Sequence, residues 1–296
     1  MISRRTLDHR SIEGAAEDGS PYRSRVVAPT KAALVRARSL WWTLSHRGNA
    51  PTGTGMRFLC YHRISDNPDD LAVRPHRFRE QMDYLASQGY RVLDVVQAFE
   101  LLEEGQVVPA RTIALSFDDG YRDIAEHALP VLAERGFAAA VFVVTGATDG
   151  VTRLPWYRQQ PRLLDWDEIT SLDGQGVLRF EAHSVTHPNL TLLSVGAAEA
   201  EIRDSKRILE ERLGRRIEAF CYPRGRFARR EEDLVRKAGF RLAVSVNPGL
   251  NQPGMNRFAL RRHSIERRDS MLDFRVKLEG GHDSFLFLQR TYRKVR

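Results

Sequence analysis

The chain predicts an α/β protein built on a parallel sheet, and three observations carry that prediction. Short strand-like runs alternate with helix-like segments along 296 residues. Several of these runs crowd apolar residues together without alternation, as strands buried on both faces do. Glycines close the helical segments, where a left-handed C-cap is needed. With 42% hydrophobic and 28% charged residues, the chain can bury the core of one large domain plus extensions.

In order, the pattern predicts a strand over 56–62 and a helix over 77–87, then a strand over 112–117 and a helix over 124–135. A strand over 138–145 precedes a helix over 167–172, and a strand over 177–182 precedes a long helix over 198–213. A strand over 219–222, a helix over 231–238 and a strand over 242–246 complete the series. Gly89, Gly136, Gly214 and Gly239 fall just after four of these helices. Asp165 and Asp167 bring negative charge to a helix start, where the helix dipole favours it. Trp166 between them either packs beneath that helix or reaches toward a cavity. Strands alternating with helices need crossover connections, hence parallel pairing.

The first 55 residues differ in character. Residues 1–30 are polar and aperiodic, the composition of a disordered segment. Residues 31–47 set Leu34, Val35, Leu40, Trp41, Trp42 and Leu44 among Lys31, Arg36, Arg38 and Arg47. That is a short basic amphipathic helix, suited to packing on the domain's exterior or to lying on an anionic membrane surface. No apolar stretch reaches the ~20 residues of a spanning helix, and nothing after Arg4-Arg5 resembles a signal-peptide core. The expected location is cytoplasmic, peripheral at the inner membrane face. The expected division is an extension over 1–55, one catalytic domain over 56–280 and a basic tail over 281–296. A net charge of +8 comes from arginines dispersed along the chain with no nucleic-acid motif, so no nucleic-acid partner is expected. Such a surface suits anionic glycans, lipid-linked sugars or headgroups. Cys60 and Cys221 are too few for a disulfide scaffold and lack metal-ligand spacing, so both read as small buried hydrophobes.

Three strings carry the chemistry: Ser116-Phe117-Asp118-Asp119-Gly120, His183-Ser184-Val185-Thr186-His187 and Phe220-Cys221-Tyr222-Pro223-Arg224-Gly225. Each ends a strand-like run. Side chains alternate across a strand, so Asp118 and Asp119 diverge unless the strand ends there and Gly120 lets the chain turn. Pro188 stops a long helix after His187, leaving a tight loop in which Ser184 and Thr186 hydroxyls hold the turn. Alone, Asp-Asp-Gly also describes a surface turn and His-x-x-x-His a pair of solvated histidines. Together at strand ends, two carboxylates and two imidazoles make up the donor set of a hydrolytic metal site.

On these residues the chain resembles the polysaccharide deacetylase family, the NodB-homology domain of carbohydrate esterase family 4. The first two strings match that family's first and second motifs, and the third matches a variant of its third. The similarity extends over residues 56–280 and takes in Phe58-Leu59-Cys60-Tyr61-His62-Arg63. It implies a distorted (β/α) barrel with functional residues at the carboxyl ends of its strands. It also implies that Asp119, His183 and His187 hold a divalent metal, zinc in most members and cobalt or nickel in some, with Asp118 as general base. A backbone N–H near Arg224, beside Tyr222 and Pro223, would hold the oxyanion. The implied substrate is an N-acetylated sugar or polysaccharide of an exopolysaccharide or envelope glycan, and the products are acetate and a free amine. Independently, two imidazoles and one carboxylate leave an open coordination position for water.

Two departures stand out. Where many members carry an arginine that orients the base, this chain has Cys221, and Arg261 or Arg262 is the candidate replacement. The usual leucine-and-histidine motif that supplies the general acid is missing, leaving His263 or His62 for that work. These changes admit two other readings: a catalytically silent glycan-binding barrel, or an amidase acting on a non-sugar amide. Neither the oligomeric state nor the particular sugar is legible.

Overall fold

The computed structural model describes residues 55–103 and 107–283. Its main sheet is parallel and contains eight strands: β1 (Arg57–Tyr61), β4 (Arg91–Leu93), β5 (Thr112–Asp119), β6 (Ala139–Val143), β7 (Leu178–Ala182), β8 (Ala219–Cys221), β9 (Leu242–Val244) and β10 (Arg262–Ser264). Two short strands, β2 (Arg63–Ile64) and β3 (Ala72–Val73), pair separately. The spatial order is β10-β1-β5-β6-β7-β8-β9, with β4 also on β5. Past the outer strand β9, Val244 bridges Leu260 in parallel, and Ser245 N–H and Leu260 N–H bond to Leu260 and Ala243 carbonyls. The segment so joined runs directly into β10, which pairs with β1. The sheet thereby curls into a nearly closed barrel, as the resemblance implies.

The helices are α1 (Pro75–Ser87), α2 (Val95–Glu103), α3 (Leu129–Ala133), α4 (Thr145–Thr148), α5 (Trp166–Asp173), α6 (Val195–Leu213), α7 (Arg229–Lys237) and α8 (Met271–Glu279). Strand alternation sorts the core into two shells. Leu59, Tyr61, Leu115, Phe117, Val141, Phe180 and Phe220 point outward and meet helix residues such as Phe78, Met82, Ile169, Ile202 and Val235. Phe58, Ala114, Ala140, Phe142, Ala219, Cys221, Leu242 and Val244 fill the barrel's inside. Asp118 shares the inward parity of Ala114, so the second shell, not the first, receives the Asp118 side chain.

The predicted strands and helices are present, with each boundary within three residues of the predicted one, some trimmed and some extended. One predicted helix is different. Residues 124–135 form a π-helical turn, Ile124–Ala128, before α3, and Leu129 N–H bonds to Ile124 O. Pro130 has no N–H to continue the α ladder, so the register shift falls beside it. β2, β3, β4, α2, α4, β10 and α8 were not predicted from the sequence. The expected left-handed glycines are found, with φ of 68° at Gly89, 62° at Gly136, 64° at Gly214 and 80° at Gly239. The amphipathic segment 31–47 and the tail beyond 283 lie outside the described residues. No described helix is long and apolar enough to cross a membrane.

Candidate active site

All three strings arrive at the carboxyl ends of their strands and leave the regular ladder in left-handed conformations. Asp119 has φ 72°, Ser184 63°, His187 59° and Arg224 59°. Among the described residues, four of the five non-glycine residues with positive φ therefore sit in these strings. Such strain concentrates where a fold must aim functional groups. For Asp119 the consequence is direct: as the last residue of β5 it turns out of the alternation and joins the histidines instead of the outer core. Gly120 (φ 75°) makes the turn, and a side chain there would press on Val143 Cγ1 at 2.8 Å.

Asp119 Oδ1 lies 3.5 Å from His183 Nε2 and 3.6 Å from His187 Nε2. All three residues are buried. The two rings meet edge to face, 4.7 Å between centroids. His183 Nδ1 pairs with the Cys221 carbonyl at 2.8 Å, which fixes the proton on Nδ1 and leaves the Nε2 lone pair facing Asp119. The second loop is held by Ser184 Oγ, which accepts the His187 N–H at 3.0 Å. Glu201 on α6 accepts the Val185 and Thr186 N–H groups and the Thr186 hydroxyl.

The electrostatics suit a cation. Burial, and then the neighbouring Asp118 charge, pushes the Asp119 carboxyl up to about 8. Burial lowers His183 to about 4 and drives His187 well below the ordinary imidazole value. Asp119 Oδ1 is a buried atom with no hydrogen-bond donor. A carboxylate oxygen left without a donor between two neutral imidazole nitrogens is the arrangement that a divalent ion with N/O preference would satisfy. The three ligand atoms lie within 4.8 Å of one another, as three ligands of a single ion must. The residues present therefore fit a metal.

Asp118 sits beside this group in a separate cage. Arg262 grips it bidentately, NH1 to Oδ1 at 2.6 Å and NH2 to Oδ2 at 2.8 Å. Cys60 and Cys221 Sγ lie 3.3 and 3.5 Å from Oδ2. Burial alone would raise the Asp118 carboxyl. The fully buried Arg262 guanidinium outweighs it and holds Asp118 well below the usual carboxylate range. Of the two candidate arginines, the structure brings Arg262 to Asp118. The neighbouring Arg261 side chain packs against Gly249 instead. Arg262 also donates to Ser116 Oγ at 3.0 Å and approaches Cys221 Sγ at 3.0 Å.

The remaining expected residues divide. His62 is half-buried, its ring nitrogen within 4.8 Å of Cys60 Sγ and an Asp118 oxygen. His263 points to the opposite face of β10 from Arg262, with Nε2 facing the Gly249 N–H and Asp283, each at 3.1 Å. The proposed general-acid role for His263 is thus corrected, because strand alternation turns it away from the carboxylates. The Tyr222 side chain is core: its hydroxyl donates to the Phe258 carbonyl, and its ring stacks on Phe227 at 4.4 Å. Pro223 opens the turn that carries Arg224. Gly225 and Arg226 spend their N–H groups on Tyr222 and Pro223 carbonyls, whereas the Arg224 N–H makes no such bond. Trp166 does not reach toward the site. Its indole N–H goes to Asp149 and its ring lies under Arg212 at 5.2 Å. Sequence reasoning did not find Tyr121, whose hydroxyl binds Asp119, Trp156, whose ring lies 4.7 Å from His187, or Glu201. Tyr121 follows Gly120 directly and offered a signal by adjacency. Trp156 and Glu201 come from distant segments and offered none.

Together with the family match that follows, the fold and donor set make this a barrel hydrolase acting on carbon–nitrogen bonds other than peptide bonds. Residues 105–243 match the model of the polysaccharide deacetylase family. The chain is 26% identical over 204 residues to YxkH of Bacillus subtilis, which is named for the same family, covering 69% of each chain. It is 22% identical over 237 residues to the poly-beta-1,6-N-acetyl-D-glucosamine N-deacetylase of Staphylococcus aureus, covering 76% of this chain and 78% of that one. In fold it resembles the deacetylase PplD of Streptococcus pyogenes, solved in complex with acetate. That match has a TM-score of 0.67 and 24% identity, and covers 76% of this chain and 98% of that one.

Proposed function

We propose that the chain is a metal-dependent N-deacetylase of an N-acetylated polysaccharide, releasing acetate and leaving a free amine on the sugar. The observation that carries this reading is the orphaned Asp119 Oδ1 between two imidazole nitrogens, beside a second carboxylate held ionised by a buried arginine. The named substrate of the Staphylococcus aureus relative supports an amino-sugar polymer.

Asp119, His183 and His187 are the assigned ligands, with zinc the ion their donor types favour. A divalent ion held by these three residues would supply Lewis-acid polarisation of a carbonyl and would acidify water from a pKa near 16 to about 7. Asp118 is the carboxylate placed to accept the proton of the water that attacks the carbonyl carbon. Its low basicity, set by Arg262, suits a carboxylate that must stay ionised at every working pH. The unspent Arg224 N–H is the donor assigned to the developing oxyanion. His62 is the imidazole left in reach of Asp118 to protonate the departing amine. A cytoplasmic location remains part of the proposal, with residues 31–47 the segment that would contact the inner membrane face.

The test is metal analysis of the purified full chain together with acetate release from N-acetylglucosamine oligomers and polymers. About one zinc-like ion per chain, metal-dependent acetate release and loss of the ion in His183→Ala are expected. A metal-loaded protein that releases no acetate from any glycan would refute the deacetylase reading and favour a glycan-binding barrel.

A further inference from the structure

We infer that Tyr121 is a positioning residue for the metal site: its hydroxyl occupies one oxygen of Asp119 so that the other is the single atom offered between His183 and His187. The inference rests on the assignment of Asp119 as a ligand. Tyr121 is fully buried, and its hydroxyl donates to Asp119 Oδ2 at 3.0 Å. Oδ1, with no donor, is the oxygen that faces both Nε2 atoms. A carboxylate with both oxygens free can swing to bidentate coordination or rotate. One with an oxygen engaged by a phenol presents the other in a fixed direction.

The phenol is itself held on several sides. The Arg63 guanidinium lies over its ring at 5.4 Å, and the Tyr157 ring meets it edge to face at 6.1 Å and 83°. Tyr157 hydroxyl and Arg63 both bind Asp69, and Arg63 also binds Asp123 at 2.9 Å. The backbone is pinned too: Tyr121 bridges Leu163, Arg122 N–H bonds to the Arg162 carbonyl, and Leu164 N–H to the Gly120 carbonyl. Nothing else in the described structure donates to Asp119, so its aim depends on this one hydroxyl. His183 has its counterpart support in the Cys221 carbonyl.

The experiment measures zinc affinity of the full chain by competition with a chromogenic chelator, in wild type, Tyr121→Phe and Tyr61→Phe. Removing an outer partner of a ligand typically weakens metal binding ~10- to 100-fold, and that loss is expected in Tyr121→Phe. Tyr61→Phe, which removes a buried hydroxyl that donates to Gln81 Oε1, should bind zinc within about threefold of wild type, since neither a ligand nor Tyr121 loses a partner. The visible spectrum of the cobalt-loaded protein should shift in Tyr121→Phe alone, a change that general loosening of the fold would not produce. Should Tyr121→Phe not fold, Tyr121→Met removes the hydroxyl with a flexible side chain in place of the ring and is judged by the same measure. A hydroxyl-free variant that binds zinc as tightly as wild type overturns this inference alone. Wild-type protein that takes up no ion overturns the metal assignment and this inference with it.

Discussion

Two buried acidic sites face the inside of one barrel and are finished in opposite ways. Glu181, on β7 two residues before His183, is fully buried, and four donors reach it: Arg179 Nε at 2.9 Å, Arg215 NH1 at 3.2 Å, and the Glu218 and Ala219 N–H groups at 2.8 and 2.7 Å. Arg215 is tied in turn to Asp173 and the Phe180 carbonyl. One layer up, Asp119 receives one hydroxyl and keeps an oxygen with no donor. Burial raises both carboxyls, but at Glu181 the two arginines oppose it, while at Asp119 the Asp118 charge adds to it. The lower site is a plug that stabilises the barrel's base. The upper one keeps a buried oxygen, Asp119 Oδ1, with no donor.

The contrast breaks most sharply if neutralising the upper pair leaves the chemistry unharmed. Asp118→Asn should lower acetate release per metal-loaded, folded molecule by about 10² to 10⁴, the usual contribution of a general base. The rate must be normalised to folded protein, because the change also strands the buried Arg262 charge. Turnover equal to wild type would remove Asp118 from the mechanism. Next in size, Glu181→Gln should destabilise the protein by about 3 kcal/mol, the lower end for breaking a buried pair whose arginines are partly exposed. Its zinc stoichiometry, measured on the folded fraction, should be unchanged. Loss of zinc in that variant would mean the two layers are not separable.

The smallest effect has the opposite sign. Asp119 titrates near 8 when folded against an ordinary value of 3.8, so the folded state holds a proton that the unfolded state releases. Stability of the metal-free protein therefore falls as pH rises from about 4 to about 8, and above 8 the penalty is fully present. Asp119→Asn should flatten that decline and raise the metal-free melting temperature above pH 8 by about 2–4 °C, as ~1 kcal/mol does in a domain of this size. A melting scan of both proteins in chelator at pH 5.5 and 8.5 checks it, and a lower value for the variant at the higher pH would contradict it.

Much of this was legible because β5 is an apolar run ending in Asp118 and Asp119, and the strand-like segment of β7 runs directly into His183. Asp118, Asp119, His183 and His187 were readable for that reason. Arg262 was only a candidate, because β10 is three residues long and reads Arg-His-Ser, with no apolar run to announce it. An arginine at zero exposure contradicts every compositional expectation, and only the barrel's closure explains it. The same shortness hid β4, whose Arg91 is exposed. His263 was misassigned for a related reason: without knowing that β10 is a strand, its opposite facing from Arg262 could not be seen. Tyr121 and Glu201 escaped because they act on other residues and not on the reacting atoms.

The pairing of Asp118 with an arginine 144 residues further along the chain has a consequence for how the molecule is made. At ~5–20 residues per second of synthesis, roughly 7 to 30 s separate the emergence of Asp118 from that of its counter-charge. By the later part of that interval the nascent chain also carries His183 and His187, yet the slot beside β1 that β10 will fill stands open. An interrupted product ending before Arg262 would keep Asp119 and both histidines without the charge that holds Asp118 ionised, so completion of this centre waits on the last strand to be translated.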